Sequence, residues 1–290
     1  MNTWLLAIRP RTLFVGATPV LVGVALAHRS GTFHALPALA ALLGALLLQI
    51  GSNLANDVFD YEKGADTAER LGPLRVTQAG LLTPGAMKRG MAVAFGMALL
   101  VGMYLTWVSG WPIVVIGLLS IASAIAYTGG PYPLGYNGLG DVFVFLFFGL
   151  VAVLGTAWVS SGELSVQAAY AGAAVGALAT NVLVVNNVRD YEQDAKANKR
   201  TVIVRFGRGF GLLEYGACLL VAYVVPLAFF VLGWAASAVL LPLCTAPLAV
   251  SLFSRVRRER GAALNLVLAN TAKLVFLHGL LFALGLAISS

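Results

Sequence analysis

The chain has 290 residues, of which 59% are hydrophobic and only 11% are charged, and its mean hydropathy is +0.87. An average soluble domain is about 25% charged, so this composition excludes a soluble globular protein and indicates a membrane protein. There are 19 Lys+Arg against 12 Asp+Glu, which gives a net charge of +7. The positions of these charges indicate membrane topology and not a nucleic-acid partner.

Nine apolar segments are predicted to form transmembrane helices in a single all-α domain that covers residues 1–290. A spanning helix needs about 20 mostly apolar residues, because the hydrocarbon core is about 30 Å thick and a helix rises about 1.5 Å per residue. The segments are 12–27, 36–56, 91–108, 112–127, 141–159, 166–186, 212–232, 236–253 and 263–288. We interpret the first as a retained helix, because no small-residue cleavage site precedes a hydrophilic mature domain.

The distribution of Lys and Arg predicts one orientation in the membrane. If the N-terminus is cytoplasmic, 17 of the 19 Lys+Arg lie in cytoplasmic segments, namely 1–11, 57–90, 128–140, 187–211 and 254–262. Since Lys and Arg concentrate on the cytoplasmic side, we expect a multi-pass protein of the inner (cytoplasmic) membrane with its C-terminus outside. Two cytoplasmic segments are long and contain most of the acidic residues, so function is predicted at this face.

The second predicted helix ends in a polar stripe, which we call the first acidic stripe. Its members fall at i, i+3, i+4 and i+7, a spacing that places them on one face of a helix. They are Asn53, Asn56, Asp57 and Asp60. Asp66 follows a short way along the chain.

The sixth predicted helix ends in a second acidic stripe with similar spacing, formed by Asn187, Asp190 and Asp194. Both stripes emerge on the same membrane face, and carboxylate and amide oxygens are ligands for Mg²⁺, which bridges carboxylates to phosphate oxygens. The alternative interpretation is solvated helix ends with ordinary loop charge. Two matching stripes flanked by cations favour a site, because ionisable groups near the membrane are costly and usually face a cavity.

The chain resembles the UbiA superfamily of intramembrane prenyltransferases over nearly its whole length. The resemblance rests on residues 4–12 (WLLAIRPRT), 56–75 (NDVFDYEKGADTAERLGPLR), 127–141 (YTGGPYPLGYNGLGD) and 186–207 (NNVRDYEQDAKANKRTVIVRFG). It implies a nine-helix bundle around a central cavity that opens to lipid on one side. It also implies Mg²⁺ as the cofactor, with Asp57, Asp60, Asp190 and Asp194 holding an isoprenyl diphosphate through the metal.

The most similar members of that family imply the reaction. A polyprenyl group would pass from an isoprenyl diphosphate to 1,4-dihydroxy-2-naphthoate, with loss of CO₂ and diphosphate, in menaquinone biosynthesis. An aromatic prenyltransferase that uses 4-hydroxybenzoate would need the same two stripes and is the nearest alternative. A transporter with an inverted repeat and a midplane cation site is the alternative from another class, but here the acids lie at one face.

Several further residues are predicted to contact substrates. Arg75, Lys199 and Arg200 are candidates for the diphosphate, because guanidinium forks and lysine ammonium groups suit phosphate oxygens. Tyr127 is a candidate to shield an allylic cation with its ring, or else is an interfacial tyrosine. The remaining candidates are Arg9, which topology alone could also explain, Lys273, which lies inside the ninth helix, and Asp66, which either joins the metal ligands or orders its loop.

Overall fold

The computed structural model describes residues 3–65 and 70–289, and this part of the chain is helical with no strand. A short helix α1 (Thr3–Ile8) lies before the bundle. The apolar helices are α2 (Pro10–Arg29), α3 (Ala35–Glu62), α4 (Pro84–Ser109), α5 (Pro112–Ala126), α6 (Gly140–Phe145) continuing into α7 (Ala152–Ser161), α8 (Val166–Arg189), α10 (Val202–Val231), α11 (Ala246–Arg258) and α12 (Leu264–Ile288). A short helix α9 (Tyr191–Lys196) follows α8.

Eight of the helical spans in the described residues are long and apolar enough to cross a bilayer, and the fourth predicted span is a shorter apolar helix of 15 residues, Pro112–Ala126. The chain is therefore an all-α integral membrane protein, as predicted. The central helix is α8, because 72% of its 18-residue apolar stretch is buried. Its many alanines and glycines allow neighbouring helices to approach closely.

Local capping explains where several helices begin. The side-chain oxygens of Thr83, Ser165 and Thr201 accept main-chain N–H groups three residues further on, at 3.1 to 3.2 Å. The helix predicted at 212–232 therefore starts ten residues earlier, at Val202. Gly207 breaks its first turns with a positive φ of 81°, and Arg205 and Arg208 make those turns too polar for the hydrocarbon, which is why hydropathy alone places the start later.

The fifth predicted span, 141–159, is not a regular α-helix throughout. It contains a wider π-helical segment, Leu146–Val151, between α6 and α7. Gly149 in this segment lies directly against α8: a Cβ there would be 2.5 Å from the carbonyl oxygen of Gly172 and 2.6 Å from the Cα of Gly176. The backbones of the two segments are in contact at this point, and this contact sets the distance between α8 and the α6–α7 span.

Gly149→Ala should destabilise the protein by about 1 to 3 kcal/mol, because the added methyl group overlaps main-chain atoms that cannot move aside. Gly155→Ala is the matched control, since a Cβ at Gly155 meets no atom within 4 Å. We expect a lower thermal unfolding midpoint in detergent for Gly149→Ala only. Equal midpoints for the two variants would show that the backbones do not approach as described.

Candidate active site

A cavity of about 1260 Å³ runs through the bundle between α2, α3, α4, α5, the α6–α7 span, α8 and α12. Apolar side chains form most of its wall, and Val101, Leu105, Ile113, Ile116, Phe147 and Val151 are examples. Polar side chains gather at one end, where both acidic stripes lie. The shape therefore combines a long apolar chamber with a charged end.

Asp60 of the first acidic stripe lines the charged end of the cavity and is 3% exposed. Its Oδ2 accepts a hydrogen bond from Nη2 of Arg75 at 2.9 Å, and its Oδ1 accepts from the hydroxyl of Tyr136 at 2.9 Å. The ring of Tyr136 has two cations near it, with the ammonium groups of Lys63 and Lys199 at 5.7 and 5.4 Å from its centre. Arg75 and Lys199 therefore meet Asp60 where the sequence predicts the diphosphate.

Asp57 lies in a different environment from the one predicted for a metal ligand. It is 1% exposed and does not contribute to the cavity wall. Its Oδ2 and Oδ1 accept the main-chain N–H groups of Val76 and Thr77 at 3.2 and 3.1 Å, and Nη2 of Arg9 lies 3.5 Å from Oδ2. Asp57 lies about one helical turn from both Asn53 and Asp60, but its side chain contacts the loop at residues 76–77. Its carboxylate holds that turn and Arg9 in place.

The second acidic stripe is organised by Arg189, which is 2% exposed. Its Nε donates to Oδ1 of Asp190 at 2.7 Å and its Nη2 to Oδ2, which makes a bidentate ion pair. Nη2 also donates to Asn186 at 2.7 Å, and Nη1 donates to Asn265 of α12 at 3.0 Å. The Asn265 amide in turn donates to the carbonyl of Leu71 at 2.7 Å. This network joins α8, α12 and the loop that follows the first stripe.

Asp194 is buried at 7% exposure, and its Oδ1 lies 3.6 Å from Nζ of Lys199. Its Oδ2 is buried without a hydrogen-bond partner. Burial raises the pKa of Asp194 to about 6, although Lys199 acts to lower it. Burial opposes the charge of Lys199, but Asp194 and Asp60 outweigh burial and raise the pKa of its ammonium group. Asp60, Asp190 and Asp194 all act on Lys199, so the two stripes share one electrostatic site.

The metal-free protein should lose stability as pH rises from about 4 to about 6. The pKa of Asp194 is 3.8 when unperturbed and about 6 in the fold, so between these values the folded state binds more protons than the unfolded state. The loss is on the order of 2 kcal/mol. Unfolding midpoints measured with a chelator should fall across this pH window, and Asp194→Asn should flatten the dependence. A midpoint that rises with pH in the wild type would contradict the assignment.

The other cavity-lining candidates occupy the charged end in different ways. Asn53 donates to the carbonyl of Ile8 and to the hydroxyl of Thr12, both at 2.8 Å, and so ties the N-terminal segment to α3. Asn56 accepts a hydrogen bond from Thr128 at 3.1 Å. The remaining predicted residues that line the cavity are Arg9, Arg75, Tyr127, Asn187 and Lys199.

Besides Asp57, Asp190 and Asp194, two predicted residues, Arg200 and Lys273, do not line the cavity. Arg200 has an exposed side chain and takes part through its main chain: its N–H donates to the carbonyl of Tyr136 at 2.8 Å, and its carbonyl accepts from Nε of Arg205 at 3.1 Å. Lys273 is exposed on the outer face of α12, whereas Leu268, Ala269 and Ala272 of the same helix line the cavity. The predicted contact between Lys273 and a substrate is therefore wrong, because α12 turns this side chain away from the cavity. Asp66 lies outside the described residues.

Sequence reasoning missed Tyr136, Asn186 and Asn265 as members of the site. Tyr136 lies within the segment 127–141 that carries the family resemblance, so that segment could have pointed to it. Asn186 lies directly beside the second stripe. Asn265 had no local signal, because its role depends on contacts with Arg189 and Leu71, which are distant in sequence.

The chemistry of this end of the cavity suits a polyanion. Arg75, Arg189 and Lys199 each neutralise one acid. In the described residues, no three acidic, histidine or cysteine side chains are already close enough together to hold a metal ion. Yet the partnerless Oδ2 of Asp194, together with Asp60 and Asp190, supplies hard oxygen donors of the kind that Mg²⁺ shares with phosphate. The residues therefore fit a divalent ion that arrives with a phosphate ligand.

Comparison with known proteins identifies close relatives over the full chain. The chain is 40% identical over 302 residues to the 1,4-dihydroxy-2-naphthoate octaprenyltransferase of Escherichia coli (strain K12), covering 99% of this chain and 96% of the relative. It is 38% identical to the protein of the same name from Mycobacterium tuberculosis (strain ATCC 25618 / H37Rv), covering 89% and 87%.

Solved structures show the same fold at low sequence identity. A UbiA homologue from Archaeoglobus fulgidus bound to DMAPP and Mg²⁺ superimposes with a TM-score of 0.68 at 16% identity, covering all of both chains. The apo structure of a UbiA homologue from Aeropyrum pernix K1 gives a TM-score of 0.73 at 14% identity, covering 92% of this chain and 95% of that one. The model of the UbiA prenyltransferase family matches residues 17–287. The chain belongs to the UbiA prenyltransferase family.

Proposed function

We propose that the chain transfers a polyprenyl group from an isoprenyl diphosphate to 1,4-dihydroxy-2-naphthoate, with loss of CO₂ and diphosphate, in menaquinone biosynthesis. The observation that carries this proposal is the cavity itself, which joins a long apolar chamber to an end that contains both acidic stripes and their cations. The names of the full-length relatives support the acceptor. The position of the acids at one end of the bundle favours an enzyme over the transporter alternative.

The donor's diphosphate would lie beside Arg75 and Lys199, which both line the cavity: Arg75 is hydrogen-bonded to Asp60, and Lys199 lies over the ring of Tyr136. Arg75 offers a planar fork of N–H donors, and Lys199 a mobile point charge. Both are largely buried, so their attraction to phosphate is screened less than it would be at a surface. The prenyl tail would occupy the apolar chamber, where each buried methylene group contributes about 0.8 kcal/mol.

The ligands proposed for Mg²⁺ are Asp60, Asp190 and Asp194, with Asn56 and Asn187 beside them. A bound divalent ion would neutralise charge that develops on the leaving diphosphate. We retain Asp57 only as the residue that positions Arg9, because both its oxygens already accept main-chain hydrogen bonds. Asp66 remains a predicted ligand from sequence alone.

The reaction is a substitution at two carbons: the allylic carbon of the donor loses diphosphate, and the ring carbon of the acceptor loses CO₂. The allylic C–O bond breaks with both electrons leaving on diphosphate, and the ring carbon that bears the carboxylate forms a bond to the allylic carbon. The bond to the carboxylate then breaks, CO₂ leaves, and its electrons restore the aromatic ring. Tyr127 lines the cavity, and its ring is proposed to stabilise the positive allylic carbon. Arg9, held by Asp57, is proposed to bind the acceptor's carboxylate before it is lost.

We also propose that the charged end faces the cytoplasm of a bacterial cell. The segments at this end carry 17 of the 19 Lys+Arg. Such an asymmetry follows from the preference of Lys and Arg for the cytoplasmic side. The two substrates' charged groups would then enter from the cytoplasmic leaflet.

The function is tested with purified protein in detergent, Mg²⁺ and farnesyl diphosphate, offered 1,4-dihydroxy-2-naphthoate and 4-hydroxybenzoate in separate reactions. Mass spectrometry should detect a prenylated naphthoquinol that lacks the carboxylate, and no product from 4-hydroxybenzoate. Prenylated 4-hydroxybenzoate alone would retain the reaction class and overturn the acceptor. No product from either acceptor, while the protein remains folded, would overturn the proposed function.

A further inference from the structure

A second, smaller cavity of about 470 Å³ lies on the outside of the bundle, away from the candidate active site. Its lining residues define what we call the α11 groove: Val250, Phe253, Ser254, Arg257 and Arg258. Counted from Val250, they fall at i, i+3, i+4, i+7 and i+8, so they form one stripe along α11. The stripe changes from apolar to basic toward the end of the helix that precedes α12.

The apolar part of the groove is exposed and firmly supported. Val250 is 69% exposed and lies in the Ser237–Arg258 span, which is long and apolar enough to cross the membrane. Phe253 stacks on buried Tyr215 with 6.3 Å between ring centres. A Cβ at Gly216 of α10 would lie 3.3 Å from the Phe253 ring, so the glycine allows the ring to sit against α10. The floor of the groove is thus a fixed aromatic surface.

Two arginines of the groove have charges that the described residues leave uncompensated. Glu259 accepts hydrogen bonds from Nε and Nη2 of Arg255, at 2.6 and 3.3 Å, and is fully engaged by this neighbour. Arg208 of α10 donates hydrogen bonds to main-chain carbonyl groups at the end of α11, including that of Glu259 at 2.7 Å. Arg257 and Arg258 have exposed side chains that form no hydrogen bond or ion pair within residues 3–65 and 70–289.

We propose that the α11 groove binds an anionic phospholipid. The phosphate would contact the guanidinium groups of Arg257 and Arg258, and the hydroxyl of Ser254 would donate to it. An acyl chain would follow Val250 and Phe253 into the bilayer. Basic pockets between transmembrane helices at the headgroup level bind anionic lipids in this way. Membrane topology alone would account for the two arginines. It would not account for the apolar residues that lead up to them on the same face of α11.

The test compares the wild type with three variants that each lower the net charge by one. Arg257→Gln and Ser254→Glu act within the groove, and Arg89→Gln is the control, because Arg89 is exposed on α4 outside the groove. Native mass spectrometry of each purified protein in neutral detergent measures binding of phosphatidylglycerol and of phosphatidylcholine. Thermal unfolding is measured with either lipid, with sodium phosphate, and with no addition.

We expect phosphatidylglycerol to bind the wild type and Arg89→Gln and to raise their unfolding midpoints. The affinity should be at least about fivefold weaker in Arg257→Gln and Ser254→Glu. Midpoints without lipid establish that the variants fold, and either folded groove variant is sufficient for the test. Equal binding of phosphatidylcholine, equal stabilisation by sodium phosphate, or an equal loss in Arg89→Gln would each overturn the proposal.

Discussion

Asp60→Asn should lower kcat/KM by about 1000-fold while the protein still folds. Among the four aspartates of the two stripes, only Asp60 forms part of the cavity wall. The substitution keeps an oxygen that can accept from Tyr136, but it removes the negative charge that holds Arg75 and that we propose contacts Mg²⁺. Several kcal/mol of transition-state stabilisation are lost with a metal ligand, and each 1.4 kcal/mol corresponds to a tenfold change in rate.

The measurement is steady-state turnover against Mg²⁺ concentration for the folded fraction of each protein. Glu62→Gln is the matched control, because it makes the same change of charge on the same helix. Glu62 forms a solvent-exposed ion pair with Lys88 at 2.7 Å, and such pairs contribute little. Its turnover should remain within about twofold of the wild type. Near-normal turnover in Asp60→Asn would exclude the proposed metal assignment.

Asp57→Ala should instead act first on stability, with a loss of about 3 kcal/mol in the free energy of unfolding. The substitution leaves the N–H groups of Val76 and Thr77 without this acceptor and removes an ion-pair partner of Arg9. These groups are buried, so water cannot replace the carboxylate at no cost. Turnover should also fall, because Arg9 would lose an ion pair that helps to position it in the cavity.

Thermal unfolding in detergent measures this effect, and the midpoint should fall by about 5 to 10 °C. Asp57→Asn is the conservative comparison, since its amide oxygen can still accept one of the two main-chain N–H groups. Its midpoint should lie between those of Asp57→Ala and the wild type. A wild-type midpoint in Asp57→Ala, combined with abolished Mg²⁺-dependent turnover, would return Asp57 to the metal ligands.

Composition and periodicity determined much of this protein without its coordinates. The low charge fraction required a membrane protein, and each long apolar segment required a helix because main-chain polar groups must be paired inside a bilayer. Helical spacing then placed the polar residues of the first stripe along α3. The second stripe was predicted on one helix, but α8 ends at Arg189, so Asp190 lies at the junction of two helices and Asp194 lies in the separate helix α9. The clustering of Lys and Arg placed both stripes at one end of the bundle. All of these properties depend on short stretches of sequence.

The tertiary structure decided which residues of each stripe face the cavity and which contact other parts of the chain. Asp57 and Asp60 are one turn apart, yet one meets the turn at residues 76–77 and the other lines the cavity, because the partners come from distant loops. The same reason explains Asn265, whose contacts lie 76 and 194 residues away. Periodicity fixes the face of a helix that a side chain occupies, but only packing decides what that face meets. Lys273 therefore faces outward although its neighbours Ala269 and Ala272 line the cavity.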